Sequence, residues 1–233
     1  SKPYFGAVLH NNCPIAIFRQ GMKLSNVINT LESRIPQLEG EPLFALYLQL
    51  CEHLVLVSNY KLSHYSNLIL LDESLPVRHL YKLKAMLFKA SMLMNQLNIA
   101  EARAMLESME ADVLAAKDIE LLVDWQRQYA LAMVYNGKAA VGIQLIEECI
   151  TNAKKAANDT MLCYVYSFAA ICYYERDLVK AGEYAMQSLS YAQQSNKGWM
   201  VGYATLMLGY WTRENKMEEK TLLNFAGAVE ILK

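Results

Sequence analysis

Histidine and cysteine are the residue types in this chain that could bind a metal or act as nucleophiles, and the histidine spacing favours no metal site. The four histidines are His10, His53, His64 and His79. No HExxH pattern and no paired Cys/His spacing joins them. His10 and Cys13 have the i, i+3 spacing of a ligand pair, but they lie in an irregular, proline-interrupted stretch. We therefore expect no metal and no cofactor, and we interpret the histidines as surface or interface residues.

The cysteines predict burial rather than catalysis. They are Cys13, Cys51, Cys149, Cys163 and Cys172, with no CxxC pair among them. A cysteine nucleophile needs an adjacent base, and the run Cys51-Glu52-His53 puts its three side chains on different faces of a helix. Cys51, Cys163 and Cys172 fall on predicted buried faces, where cysteine behaves as a small apolar residue. We expect a reducing compartment, the cytoplasm, or the periplasm if a signal peptide has been removed.

Tyrosine is the residue type whose distribution points to binding, because it offers rigid contact area and a polar tip. Eight of the 15 tyrosines lie after residue 160. If the first helix of each predicted hairpin lines a concave face, Tyr166, Tyr173 and Tyr174 point into a groove there. The predicted groove also contains Glu52, Lys84, Asn95, Gln126, Met133 and Arg213. The alternative for the tyrosines is packing between repeats, and the sequence leaves both alternatives open.

Helical hairpins are the elements that must position these residues. Residues 163–193 form two amphipathic segments joined at Glu175-Arg176-Asp177, with apolar and small residues at helical spacing on both. All five prolines lie at or before Pro76, so the rest of the chain is free to form nearly continuous hairpins. The whole pattern predicts about eleven helices and no strand. Two of the predicted helices span residues 22–34 and 99–116.

The hairpin pattern recurs at a steady interval of 38 to 40 residues. The anchor positions of the successive copies are Ser25, Ser63, Ala102, Val141, Ala181 and Lys220. A period this regular indicates a helical-repeat protein, in which each hairpin packs on its neighbours. We therefore predict an all-α fold, a right-handed superhelix of about five antiparallel helical hairpins.

These repeats resemble the tetratricopeptide family, which places a large residue, a Leu–small pair and an aromatic residue on the first helix and Ala on the second. Around Ala181 the matching positions are Val165, Phe168, Ala169, Cys172, Ala185 and Ser188. The repeat is about five residues longer than the family standard and lacks its final proline. It is similar in this to the long repeats of bacterial signalling proteins, such as MalT-type activators and diguanylate cyclases with repeat input domains. The resemblance covers residues 22–233 and leaves 1–21 as an irregular lead-in.

Composition and resemblance together favour a binding module. The net charge of −1 argues against a general nucleic-acid binder and against attraction to an anionic membrane surface. The first hypothesis is a non-catalytic protein- or ligand-binding module that serves as the sensory or regulatory region of a bacterial signalling protein. Its partner would be a protein or peptide, or a small ligand. The second hypothesis is a free-standing adaptor or chaperone for protein clients, and the third is an enzyme.

The last predicted helix, residues 217–233, carries more apolar surface than one packing stripe needs. Its apolar positions are Leu222, Leu223, Phe225, Ala226, Val229, Ile231 and Leu232. Terminal repeats normally present a polar outer face. We therefore expect this outer face to be covered, either by a further helix of a longer chain or by a second protomer in a two-fold homodimer.

Overall fold

The computed structural model describes residues 24–55, 58–76, 78–195 and 197–232. Within these ranges the chain forms twelve α-helices and one short 3-10 helix, and no strand. The prediction of an all-α repeat fold is confirmed. The predicted lead-in, residues 1–21, lies outside the described residues. No helix in the described part is long and apolar enough to cross a membrane.

The helices form five hairpins that follow a single leading helix. The leading elements are α1 (Leu24–Glu32) and the 3-10 helix (Ile35–Gln37). The hairpins comprise α2 (Gly40–Leu54) with α3 (Asn59–Leu70), α4 (Leu80–Asn95) with α5 (Ile99–Ser108) and α6 (Glu110–Ala116), α7 (Ile119–Tyr135) with α8 (Ala139–Ala156), α9 (Asp159–Tyr173) with α10 (Leu178–Gln194), and α11 (Gly198–Glu214) with α12 (Glu218–Leu232).

Polar side chains at the N-caps determine where several helices begin. Ser58, Asp118, Asn158 and Asp177 each accept a hydrogen bond from the backbone N–H three residues further on. Each cap satisfies one of the backbone donors that a helix start leaves without a partner. These four caps fix the first residues of α3, α7, α9 and α10.

One position in the second helix of every hairpin identifies the repeat register. The backbone N–H of this residue bonds the carbonyl four residues before it, at the helix start. The five equivalent residues, all buried, are Leu62, Ala102, Gly142, Ala181 and Thr221. They follow one another at intervals of 39 or 40 residues. The predicted period and the anchors Ala102 and Ala181 are therefore confirmed.

Three predicted anchors are wrong by one residue: Ser63, Val141 and Lys220. Val141 is 46% exposed, and its neighbour Gly142 holds the buried position. A Cβ on Gly142 would lie 2.6 Å from the Ala130 carbonyl oxygen, so glycine is what lets α8 approach α7 this closely. Apolar periodicity does not reveal the Gly142 position, because glycine has no side chain.

Two helix boundaries also differ from the prediction. The helix expected over residues 99–116 is divided into α5 and α6 at Met109, which is buried together with Val113. The division leaves α6 beside Arg78, whose Nε lies 3.0 Å from Asp112 Oδ1. The helix expected over residues 22–34 ends at Glu32, because the chain continues into a turn and the 3-10 helix.

The stack of hairpins curves until its first and fifth members touch. His53, near the end of α2, packs edge-on against Trp199 of α11, with 5.0 Å between ring centroids. Lys197 Nζ, just before α11, lies 3.8 Å from Glu52 Oε1. One apolar cluster accordingly joins buried residues of α2 to buried residues of α11. This contact encloses the concave face of the array.

Candidate binding groove

The first helices of all five hairpins line one groove on this concave face. Its volume is about 1170 Å³, somewhat larger than the roughly 300–1,000 Å³ of typical small-molecule pockets. Its charged lining residues are Glu52, Lys84, Glu120, Asp124, Arg127 and Lys197, and its aromatic ones are Tyr81, Phe88, Tyr135, Tyr164, Phe168, Tyr203 and Tyr210. The groove therefore offers both signs of charge and many flat apolar surfaces to a ligand.

Three of the predicted groove residues line it: Glu52 from α2, and Lys84 and Asn95 from α4. All three lie on first helices, as the hairpin interpretation required. That these residues contact a ligand remains a prediction.

Gln126 and Met133 of α7 are not among the lining residues. Gln126 is buried, and its Oε1 accepts a hydrogen bond from Asn152 Nδ2 of α8 at 3.0 Å. Met133 is 5% exposed. The structure therefore places both residues in the packing of the hairpin, away from the groove.

Tyr166 and Tyr173 are not among the lining residues, and each packs on a tyrosine of the second helix of its own hairpin. The Tyr166 ring stacks on Tyr191 of α10, with centroids 5.5 Å apart and planes 7° from parallel. The Tyr173 ring meets Tyr184 of α10 edge-on at 5.5 Å. Of the two alternatives that the sequence left open, packing is where the structure places these rings.

Tyr173 belongs to a hydrogen-bonded group that we call the Glu147 cluster, formed by Glu147, Tyr173, Lys180 and Tyr184. The Tyr173 hydroxyl, the Tyr184 hydroxyl and Lys180 Nζ donate to Glu147 Oε1 at 2.7, 2.7 and 2.8 Å. Partial burial alone would raise the pKa of Glu147, but these three donors outweigh it and lower that pKa. The cluster joins α8 to α9 and α10, and it is a device for holding hairpins together.

Tyr174 and Arg213 lie together beyond the lining residues. Burial raises the pKa of Tyr174, and the neighbouring Glu214 adds to this. Arg213 pairs with Glu214, with Nε to Oε1 at 3.3 Å, and its guanidinium lies 5.4 Å from the centroid of the Tyr210 ring. Only Tyr210 of this set lines the groove.

The middle of the groove carries a group that we call the groove cluster: Glu52, Asp124, Arg127, Tyr164 and Lys197. Arg127 Nε donates to Asp124 Oδ1 at 2.8 Å. The Arg127 guanidinium also lies 4.6 Å from the centroid of Phe168 and 5.2 Å from that of Tyr164. Burial raises the pKa of the Glu52 carboxyl, while Lys197 opposes that rise. The cluster therefore combines a well-paired cation, Arg127, with a poorly paired carboxylate, Glu52.

Most of this cluster was missed from the sequence, although the repeat register contained the signal. Lys84, Asp124, Tyr164 and Tyr203 succeed one another at intervals of 40, 40 and 39 residues, and all four line the groove. The prediction chose Gln126 and Tyr166 instead, two residues further along. Because each residue turns a helix by about 100°, a shift of two carries the side chain to the opposite face.

The residue types that first suggested metal or nucleophile chemistry have other roles in the structure. His53 is buried against Trp199, and this burial lowers its pKa to about 4, with a further contribution from the positive charge of Lys197.

The described cysteines are all buried: Cys51, Cys149, Cys163 and Cys172. Burial raises the pKa of Cys51 and Cys172 to about 12 and that of Cys163 to about 11. These thiols are protonated at neutral pH and therefore poor nucleophiles. Within the described ranges, no three His, Cys, Asp or Glu residues are grouped to hold a metal ion.

Comparison with known proteins shows similarity at the level of the fold. No family model and no curated protein matches the chain. A solved structure of a Rap protein complexed with competence and sporulation factor is similar, with a TM-score of 0.61 and 14% identity. The apo form of RapI gives a TM-score of 0.48 and 13% identity. The matches cover 89% of this chain and 65% of each Rap chain. The first similarity confirms a tetratricopeptide-like helical repeat fold.

Proposed function

We propose that this chain is a non-catalytic binding module whose groove holds a peptide or an extended segment of a partner protein. The observation that carries the proposal is the groove itself, about 1170 Å³ in volume and lined by the first helices of all five hairpins. A ligand of several residues can contact every repeat at once. A small metabolite would leave much of this surface empty.

The polar lining suits a peptide backbone. Gln49 and Asn95 line the groove and are exposed, and the amide of each offers both donors and an acceptor. Gln128 is 1% exposed, and its Oε1 accepts from the Ser91 hydroxyl at 2.9 Å, so this amide joins α4 to α7. The half-buried rings of Phe88 and Phe168 supply apolar contact area between these polar groups.

A regulatory role is the form of this function that we favour. The groove is enclosed by the contact between the first and fifth hairpins, so a ligand that fills it acts directly on the curvature of the array. The similar Rap structure is a complex with competence and sporulation factor, and this supports the proposal that an array of this fold binds a ligand. We propose that the change is passed to another part of a bacterial signalling protein in the cytoplasm. The resemblance to MalT-type activators and diguanylate cyclases stays a prediction.

The exposed apolar face of α12 supports a second binding surface, of the kind that an adaptor or a dimer needs. Leu222, Leu223 and Val229 are 71%, 54% and 49% exposed. We propose that a second protomer or a further helix covers this face.

A substitution on this face tests the proposal. Phe225 is unsuited to the test, because its ring packs on Gly209 and Tyr210 within the hairpin. Light scattering of wild type and Leu222→Asp over a concentration range should show a dimer that the variant loses, whereas a wild-type monomer argues against the dimer.

A peptide library tests the groove directly. The chain is mixed with an equimolar library of random heptapeptides, gel filtration separates the bound fraction, and mass spectrometry identifies it. We expect enrichment by wild type, and at least tenfold less recovery with Met207→Arg, because Met207 lines the groove. Val179→Arg is the matched control, since Val179 is 65% exposed and away from the lining. Equal recovery by the two variants, or no enrichment by wild type, would contradict the proposal.

A further inference from the structure

We propose that the groove contains a subsite for a primary ammonium group of a bound peptide, formed by the Glu52 carboxylate and the Tyr164 hydroxyl. The inference rests on the proposed function, because it names the chemistry by which that groove recognises its ligand. Two polar side chains that line the groove have no hydrogen bond among the residues that the structure describes, and we infer that one ammonium group satisfies both.

The Tyr164 hydroxyl is the first of these groups. Tyr164 is 8% exposed, and its oxygen has no hydrogen-bond partner among the residues that the structure describes. Its ring is held in place by Tyr203 at 5.7 Å and Trp199 at 6.0 Å between centroids. A buried hydroxyl without a partner is unfavourable, so a ligand atom that bonds it gains affinity.

The Glu52 carboxylate is the second group. Its side chain is 32% exposed, and no donor within the described ranges makes a hydrogen bond to it. Lys197 Nζ is the nearest cation at 3.8 Å, beyond hydrogen-bond distance, and its side chain is 42% exposed. Lys197 can therefore swing outward and leave room for a ligand. Both groups line the groove, and the Tyr164 ring lies beside Trp199, which packs on His53, the chain neighbour of Glu52. Burial raises the pKa of Tyr164, and the negative charge of Glu52 adds to that rise.

The pairing of charges in the groove leaves a place for a cation. The charged lining residues are three carboxylates, Glu52, Glu120 and Asp124, and three cations, Lys84, Arg127 and Lys197. Arg127 is already engaged by Asp124 at 2.8 Å, so it leaves Glu52 as the carboxylate in need of a partner.

The geometry further selects an ammonium group over a guanidinium group. A guanidinium ligand would stack on an aromatic face, but Arg127 already lies over the Phe168 and Tyr164 rings. An ammonium group is compact and carries three donors. It can donate to Glu52 and to the lone pairs of the Tyr164 oxygen, with one donor left for water or a backbone carbonyl.

Three random heptapeptide libraries test the subsite and identify the source of the ammonium group. The first has free N-termini and no lysine, the second is N-acetylated and has no lysine, and the third is N-acetylated and contains lysine. We expect at least tenfold more recovery from the first library than from the second. Recovery from the third as well would show that a lysine side chain can supply the group. Equal recovery from all three libraries would overturn the subsite.

Conservative variants link the effect to the two side chains. Glu52→Gln should abolish the difference between free and acetylated peptides, and Tyr164→Phe should weaken binding of free peptides about tenfold. Glu183→Gln is the matched control, because Glu183 is an exposed carboxylate on α10 outside the groove lining, and it should keep the preference. Melting temperatures check that each variant is folded. Peptide binding without dependence on Glu52 overturns the subsite alone, whereas the absence of any recovered peptide overturns the proposed function with it.

Discussion

The groove cluster and the Glu147 cluster are built from the same kinds of residue, a carboxylate beside a cation and a tyrosine, yet they differ in how completely they are bonded. Glu147 accepts from two tyrosine hydroxyls and Lys180 at 2.7 to 2.8 Å. Glu52 has only Lys197 at 3.8 Å, and the Tyr164 hydroxyl has no partner within the described residues. The pKa of Glu147 is lowered and that of Glu52 is raised accordingly.

This difference separates a structural cluster from a candidate binding one. Hydrogen bonds that are complete within the protein stabilise the folded state and leave nothing for a ligand to add. Buried polar groups left without partners reduce stability, and a ligand that supplies the missing bonds recovers that free energy as affinity. Each of the following predictions tests one side of this contrast.

The largest effect is expected where α10, which supplies Lys180 and Tyr184 to the Glu147 cluster, packs through Ala181. Ala181 is 1% exposed, so Ala181→Arg would overpack the hairpin and bury an unpaired charge. We expect a loss of roughly 4 kcal/mol in the free energy of unfolding, measured by urea denaturation.

Val141→Arg is the control for this substitution, because the sequence pattern alone treats Val141 and Ala181 as equivalent. Val141 is 46% exposed, and we expect a change within about 0.5 kcal/mol. Equal losses in the two variants would show that the register defined by Gly142 and Ala181 is wrong.

His53, beside the groove cluster, should make stability fall with acid. Burial lowers its pKa from 6.5 to about 4, so the stability that its neutral form contributes is present above pH 6.5 and is lost as pH falls toward 4. The full loss is on the order of 3 kcal/mol. Glu52 acts in the opposite direction because its pKa is raised, so only a comparison with a variant isolates His53.

That comparison is urea unfolding of wild type and His53→Phe at pH 7.5 and 4.5. Wild type should lose about 2 kcal/mol more than the variant over this interval. His64→Asn serves as control, since His64 is exposed. Parallel losses in wild type and His53→Phe would mean that His53 is not buried as a neutral ring.

The smallest effects are expected from two matched hydroxyl deletions. Tyr173→Phe removes a hydrogen bond to Glu147 and should cost about 1 kcal/mol of stability with peptide binding unchanged. Tyr164→Phe removes a hydroxyl without a partner, so stability should stay equal or rise by up to about 1 kcal/mol while peptide binding weakens. If Tyr173→Phe weakened peptide binding, or Tyr164→Phe reduced stability, the two clusters would not differ in the way described.

The sequence was informative about everything that depends on local periodicity. Helix spacing, proline position and repeat length predicted the hairpins, and they placed Glu52, Lys84 and Asn95 on the groove. The errors concern which face of a helix a given residue occupies. Gln126 and Tyr166 lie two residues past the lining positions Asp124 and Tyr164, and a helix of 3.6 residues per turn does not tolerate that error.

The closure of the array depends on long-range contacts that no local pattern contains. His53 meets Trp199, and Glu52 faces Lys197, across about 145 residues of chain. Such contacts depend on the accumulated twist of five successive hairpins, because each of the four interfaces between them adds a small rotation. For this reason the groove cluster became visible only in three dimensions.

Photo-cross-linking tests most directly whether a peptide occupies the groove. A benzophenone amino acid replaces Met207 in the groove or Val179 on the exposed surface of α10, and each protein is irradiated with the free-amine heptapeptide library. We expect cross-linked peptide at Met207 and little or none at Val179, as measured by mass spectrometry of the protein. Equal cross-linking at both positions, or cross-linking at Val179 alone, would contradict it.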